Sequence, residues 1–264
     1  MATVNDVIDI FSVIAPTSNM EPDGYDNVGL LVGKRDTAFT KILCCLDATV
    51  AVIDEAINIG AQLIVAHHPM IFAPTKTVTT DTVIGSKVIK AIEHGISIYA
   101  AHTNLDFSPD GINDYAAELL NLEKVEVMTA FGENGAGLGR VGELQKTTTA
   151  EELRKLCATV FHDDFVRIIG SKSATVKRVA VINGAGGGDT EYIDTAIRAG
   201  ADCLVTADVK HHVAVHAVDR NFTLIEPQHY TMEHVYIERL ATRLKEKLPQ
   251  AEVIVSSHDI IPRV

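Results

Sequence analysis

The chain has 264 residues, 47 % hydrophobic and 22 % charged, an ordinary globular composition with room for one large α/β domain or two small ones. Its formal net charge of −12 argues against a protein built mainly to bind nucleic acid, because phosphate binding draws on clustered Lys and Arg. No apolar run reaches the roughly 18 residues of a membrane span, and the N-terminus carries Asp6 and Asp9 in place of the basic region of a signal peptide.

In chain order, Val4, Val7, Ile8 and Phe11 lie on one face of an amphipathic first helix. Residues 26–33 (DNVGLLVG) read as a turn into a strand. A strand at 41–46 then precedes a helix at 50–59, a strand at 63–66, a helix at 86–93, a strand at 97–101 and a helix at 115–120. The glycine-rich stretch 132–142 (GENGAGLGRVG) reads as a linker, or a loop around a strand. Beyond it come a helix at 150–160 and strands at 164–169 and 178–182. A helix at 192–199, a strand at 203–206, a helix at 209–218, a strand at 222–225 and a helix at 232–247 follow. Such alternation predicts an α/β protein with mostly parallel sheets flanked by helices. Cys44, Cys45, Cys157 and Cys203 form no CxxC pair, which argues against a structural zinc knuckle. Buried free thiols fit a reducing compartment, and the expected location is the cytoplasm.

The two halves share a repeat. Residues 53–57 (IDEAI) recur as 193–197 (IDTAI), and 60–66 (GAQLIVA) recur as 200–206 (GADCLVT), at a constant offset of 140 positions (Ile53 to Ile193, Gly60 to Gly200). Each copy reads as a helix, a glycine C-cap and a buried strand. The expectation is two duplicated, intertwined α/β units, residues 1–128 and 129–264. In each half a third strand leads into a histidine with a carboxylate four residues on, His102 with Asp106 and His229 with Glu233. Ligands of open α/β sheets bind at the carboxyl ends of the strands, so two such units facing each other would bring these residues together.

The sharpest local signal is His67-His68-Pro69, directly after a strand. The proline biases His68 to an extended conformation, and two imidazoles pointing to opposite sides of a strand end can serve two metal ions. Polar loop histidines are the plain alternative. Asp106 can bridge two cations, its carboxylate having about four lone-pair sites, or it can cap a helix near Tyr115. His102 can coordinate a metal or orient a ligand. His229 and Glu233 face one point if a helix begins near Tyr230; otherwise they are a surface histidine and a helix-start glutamate. Mixed imidazole and carboxylate donors suit Zn²⁺, Mn²⁺ and Fe²⁺. A rival set is Asp208, His211, His212 and His216, in which His212 and His216 make a helical i,i+4 pair. A substrate-facing or supporting role is the other reading of His212. Residues 183–188 (NGAGGG) lack the Lys-Ser/Thr of a P-loop, so phosphate contact and a tight packed turn both remain open.

These motifs together resemble the NIF-three-like family, the dinuclear metal centre hexameric proteins, some members of which carry the name GTP cyclohydrolase 1 type 2 homolog. The resemblance runs over nearly the whole chain: 26–33 (DNVGLLVG), 66–69 (AHHP), 102–106 (HTNLD), 137–144 (GLGRVGEL), 184–188 (GAGGG), 211–217 (HHVAVHA) and 229–233 (HYTME). It implies a duplicated two-unit α/β fold of the short form, without an inserted domain. It implies a toroidal homohexamer and two divalent metal ions per subunit (Zn, Fe or Mn) on His67, His68, Asp106, His229 and Glu233. Two departures stand out: Gln228 where the family commonly has Gly, and Tyr25 where Trp is common. Neither removes a donor.

The function expected is a metal-dependent hydrolase acting through a metal-bridging water on a small molecule with a nucleotide ring or phosphoester. His102 and His212 are the candidate proton carriers. The competing class is a non-catalytic metal store, delivery protein or hexameric scaffold. No nucleic acid or membrane partner is expected.

Overall fold

A computed structural model describes residues 1–20, 26–131 and 135–259. The chain divides into two compact units, Met1–Leu105 with Tyr236–Val264, and Asp106–Val235. The division differs from one at 128/129, because the chain leaves the first unit and returns to it.

The first unit opens with β1 (Ala2–Thr3) and α1 (Val4–Ile14). Thr3 and Asp6 form a capping box that satisfies backbone donors at the start of α1, while Val4, Val7 and Phe11 bury the helix's apolar stripe. Then come β2 (Gly29–Val32), β3 (Ala38–Phe39) and β4 (Lys41–Asp47). They are followed by α2 (Val50–Ile59), β5 (Leu63–His68), α3 (Val83–Glu93) and β6 (Ser97–Ala100). The Thr49 side chain caps α2 by accepting from Val52 N–H, and Gly60 ends it in the left-handed region, φ 68°. Parallel pairing of β4, β5 and β6 explains their nearly continuous apolar sequence, since such strands are covered on both faces. Antiparallel β2 covers the outer edge of β6.

A single turn, α4 (Thr103–Phe107), carries the chain into the second unit. Its first elements are α5 (Ile112–Leu119), β7 (Glu123–Ala130), β8 (Gly137–Thr149), α6 (Ala150–Val160) and β9 (Arg167–Ile169). There follow β10 (Thr175–Val181), α7 (Thr190–Arg198), β11 (Cys203–Val205), α8 (His211–Asp219), β12 (Thr223–Glu226) and α9 (His229–His234). Here β10, β11 and β12 pair in parallel, with antiparallel β9 outside β12. This repeats the order of β4, β5, β6 and β2, so the duplication read from the sequence extends to topology. The copies differ on the far side, where β8 pairs antiparallel with β10 and β7 forms the edge. The stretch expected as a linker therefore contributes to β8; residues 132–134 lie outside the described residues. Buried Arg140 ties down this region: its guanidinium donates to the Asp114 carboxylate and to the carbonyls of Gly137, Gly139 and Ser108.

The helix expected over 232–247 is two helices. The division between units falls at the turn between α9 and α10 (Ile237–Lys247), where the chain re-enters the first unit. There β13 (Glu252–Val255) pairs in parallel with β4 and completes its five-stranded sheet. Glu55 accepts from the hydroxyls of Ser256 and Ser257, and Asp259 accepts from the Leu46 and Asp47 backbone N–H groups, which pins the end of the strand. Among the described residues no helix is long and apolar enough to cross a membrane, and all four cysteines are buried free thiols.

Candidate metal centre

Each unit carries a cluster of donors at the carboxyl ends of its parallel strands. In the first, β5 runs two residues further than its apolar core, because His68 is in register with Asp47 at the end of β4. That extension places His67 and His68 on opposite sides of the strand end. Their ring centroids are 5.0 Å apart, and His102, just past β6, lies 5.2 and 5.6 Å from them. These three imidazoles present ligand atoms within 4.8 Å of one another.

The Nδ1 atoms are all held from behind. His67 Nδ1 donates to the Ala101 carbonyl at 2.8 Å, His68 Nδ1 to Asp47 Oδ1 at 2.9 Å and His102 Nδ1 to Asp26 Oδ1 at 2.8 Å. A carbonyl or carboxylate oxygen only accepts, so in each neutral ring the proton sits on Nδ1 and Nε2 carries the lone pair. Burial pushes the Asp26 carboxyl up, but hydrogen bonds and charge from His102, with further donors from Thr103 and Asn27, outweigh it and hold the group at about 2. Asp26 is thus a fixed anion behind His102.

In the second unit, His229 and Glu233 occupy i and i+4 of α9, with His229 Nε2 2.9 Å from Glu233 Oε2. Asp208, at φ 52°, accepts from His229 Nδ1 at 2.7 Å. His229 Nε2 and Glu233 Oε2 are then two lone-pair atoms in contact, an arrangement that a cation between them relieves. Asn183 Nδ2 donates to both Asp106 Oδ1 and Glu233 Oε1, each at 3.0 Å, and so binds the two buried carboxylates into one group. Asn113 supports this arrangement by accepting from Asn183 N–H and donating to the Asp106 carbonyl.

The GAGGG turn is a packed cradle for these carboxylates. Gly184 has φ 60°, and a Cβ there would collide with Glu233 Oε1. Buried Asp163 anchors the start of α9 through three acceptor contacts, Gln228 N–H at 2.6 Å, Gln228 Nε2 at 2.8 Å and Thr231 Oγ1 at 3.0 Å, and accepts locally from Phe165 N–H at 2.8 Å. Gln228, the departure noted above, is therefore a clasp on Asp163. Tyr25, the other departure, lies outside the described residues.

The rival histidine set does not assemble. His216 Nε2 bonds Asp194 at 3.1 Å, Asp208 turns to His229, and His211 and His212 are exposed on the first turn of α8. Among the described residues none of these three histidines joins a group of ligand atoms able to hold an ion. Sequence reasoning missed Asp47, Asn183 and Asp163 as supports; it read the segment of Asp26 as a turn that could line the site, without assigning Asp26 to His102. Asp47 was within reach, because it ends β4 as His68 ends β5. Asp163 was not, since nothing local ties it to Gln228, 65 positions on.

The donors fit a divalent transition metal: imidazole nitrogens with Nδ1–H anchored to oxygen, and carboxylates fixed by an amide. The family model described as Duf34/NIF3 (NGG1p interacting factor 3) matches residues 2–262. The chain is 36 % identical to a GTP cyclohydrolase 1 type 2 homolog of Clostridium perfringens, over 96 % of this chain and 95 % of that protein. It is 34 % identical to the protein of the same name from Clostridium acetobutylicum, covering 98 % and 97 %. Among solved structures, a hypothetical protein of Staphylococcus aureus superimposes with a TM-score of 0.89 at 29 % identity, covering 99 % and 98 %. Reduced HcgD from Methanocaldococcus jannaschii does so with 0.83 at 28 %, covering 97 % and 98 %. A duplicated α/β chain with clustered His, Asp and Glu donors and these relatives along its whole length belongs to the DUF34/NIF3 family.

Proposed function

We propose that His67, His68, Asp106, His229 and Glu233 hold two divalent ions per chain and that the protein is a metal-dependent hydrolase. The observation that carries this reading is the common orientation of the imidazoles. His67, His68, His102 and His229 each have Nδ1 committed to an oxygen acceptor, which reserves Nε2 for a ligand. Histidines placed only for packing have no reason to share one tautomer. The bound ions would supply Lewis-acid polarisation of water and substrate. Bound ions would take an anionic oxygen of a substrate as a ligand, consistent with a phosphoester or nucleotide.

Within this reading His102 carries the proton. Its Nδ1–H is fixed on ionised Asp26, which stabilises the imidazolium when Nε2 takes a proton. Exposed His212 makes no hydrogen bond among the described residues and is assigned to substrate contact. The resemblance to the dinuclear metal centre proteins further supports a homohexamer, which sedimentation near six chains would test, and the four buried free thiols support a cytoplasmic location.

Metal analysis is the primary experiment. After loading with Zn²⁺, Mn²⁺ or Fe²⁺ and desalting, the protein should retain close to two ions per chain, and His68→Ala or His229→Ala should lower that value. Saturation at one ion, or unchanged content in both variants, refutes the dinuclear assignment. Turnover of phosphoester and nucleotide substrates by the loaded protein then separates a hydrolase from a metal store.

A further inference from the structure

The first unit contains a second concavity with no part in the metal chemistry. It is a cavity of about 400 Å³ under α1, within the size range of small-molecule sites. Phe11, Val28, Leu30 and Tyr99 are among its walls, and Ser12 and Arg35 also line it. Phe11 and Tyr99 stack at 4.8 Å between ring centroids, so the two rings form one aromatic wall.

Two polar side chains line this cavity and can donate into it. Tyr99 is 5 % exposed, yet its hydroxyl makes no hydrogen bond among the described residues. Its oxygen is not among the buried polar atoms that lack a partner, so it is open to solvent and can donate to a ligand in the cavity. Burial pushes this phenol up to about 12, so it stays protonated and remains a donor. Arg35 is exposed at the cavity's edge and makes no side-chain ion pair or hydrogen bond among the described residues. A donor hydroxyl and a guanidinium beside apolar walls form the complement of one kind of ligand.

We propose that the cavity lined by Phe11, Leu30, Tyr99 and Arg35 is a binding site for a small carboxylate with an apolar body of about eight to ten carbons. The apolar body lies against the ring stack and Leu30, Tyr99 donates to the carboxylate, and Arg35 pairs with its charge at the mouth.

The test uses the full-chain protein with octanoate and 4-phenylbutyrate as probes, titrated by ligand-observed NMR, with octanol as the uncharged control. At least one carboxylate should bind with Kd of about 1 mM or tighter, and octanol about fivefold or more weakly. Arg35→Gln, an exposed substitution, should abolish the preference for carboxylate over octanol. Tyr99→Phe should weaken the carboxylate by a factor of about five. Ser12→Trp, also at an exposed position, should block both probes while the thermal unfolding midpoint stays within a few degrees of the parent. Absence of carboxylate binding up to about 10 mM overturns the proposal. Binding that is indifferent to Arg35→Gln and Ser12→Trp overturns it equally. Metal content is measured on the same samples and is expected to be unchanged, so failure here is distinguishable from failure of the metal-centre reading.

Discussion

Replacing Asp163 tests whether the His229 helix is held by a charged clasp. The carboxylate is 1 % exposed and accepts four hydrogen bonds, two on each oxygen. Oδ1 takes Phe165 N–H and Gln228 Nε2, and Oδ2 takes Gln228 N–H and Thr231 Oγ1. Hydrogen bonds to a charged group contribute roughly 1.5–3 kcal/mol each. The four share one acceptor and are not additive, so Asp163→Ala is expected to cost about 3–5 kcal/mol. Asp163→Asn should cost nearly as much, because the amide nitrogen would face two donors whichever way it turns. Burial pushes this carboxyl up, but the donors from Gln228, Phe165 and Thr231 outweigh burial and hold it below the usual carboxylate range. Its folded pKa therefore lies below its unfolded one. The stabilisation is present in full above the ordinary carboxylate value of about 4 and is lost as pH falls through the folded pKa. Urea unfolding followed by circular dichroism should show a large gap between parent and both variants at neutral pH, narrowing as the pH falls through the folded pKa of Asp163. An Asp163→Asn protein within about 1 kcal/mol of the parent at neutral pH would refute the clasp.

Asn183→Leu removes the donor common to Asp106 and Glu233, and should reduce metal affinity by about 10–100-fold, read by competition with a chelating dye. Gly184→Ala forces a Cβ against Glu233 Oε1 and places alanine at φ 60°; it should destabilise by at least about 1 kcal/mol and also lower metal content. Asp47→Ala releases His68 Nδ1, so metal affinity should fall while secondary structure by circular dichroism is retained. Glu55→Gln loosens β13: burial raises the Glu55 carboxyl, donors from Ser256, Ser257 and His258 outweigh it, and the net lowered pKa means a stability loss at pH 7 that shrinks toward acid pH in thermal melts.

Local signals sufficed for much of this protein. The helices at 50–59 and 150–160 were legible to the residue because their caps are local: Thr49 and Gly60 bound one, and Thr149 with Glu152 opens the other. The parallel strands announced themselves through unbroken apolar runs, and the 140-position repeat identified the duplication. The donors His67, His68, Asp106, His229 and Glu233 could be singled out because each follows such a strand. Pairings between distant segments were another matter. β7 is largely exposed and charged, so nothing in its own pattern marked it as an edge strand, and it became one only by pairing with β8. The joining of β13 to β4, the register that puts Asp47 beside His68, and the reach of Asp163 to Gln228 all depend on backbone positions set by packing elsewhere in the chain. Donor type is a property of the residue and can be read from it, whereas the tautomer of an imidazole depends on which oxygen the tertiary fold places behind it.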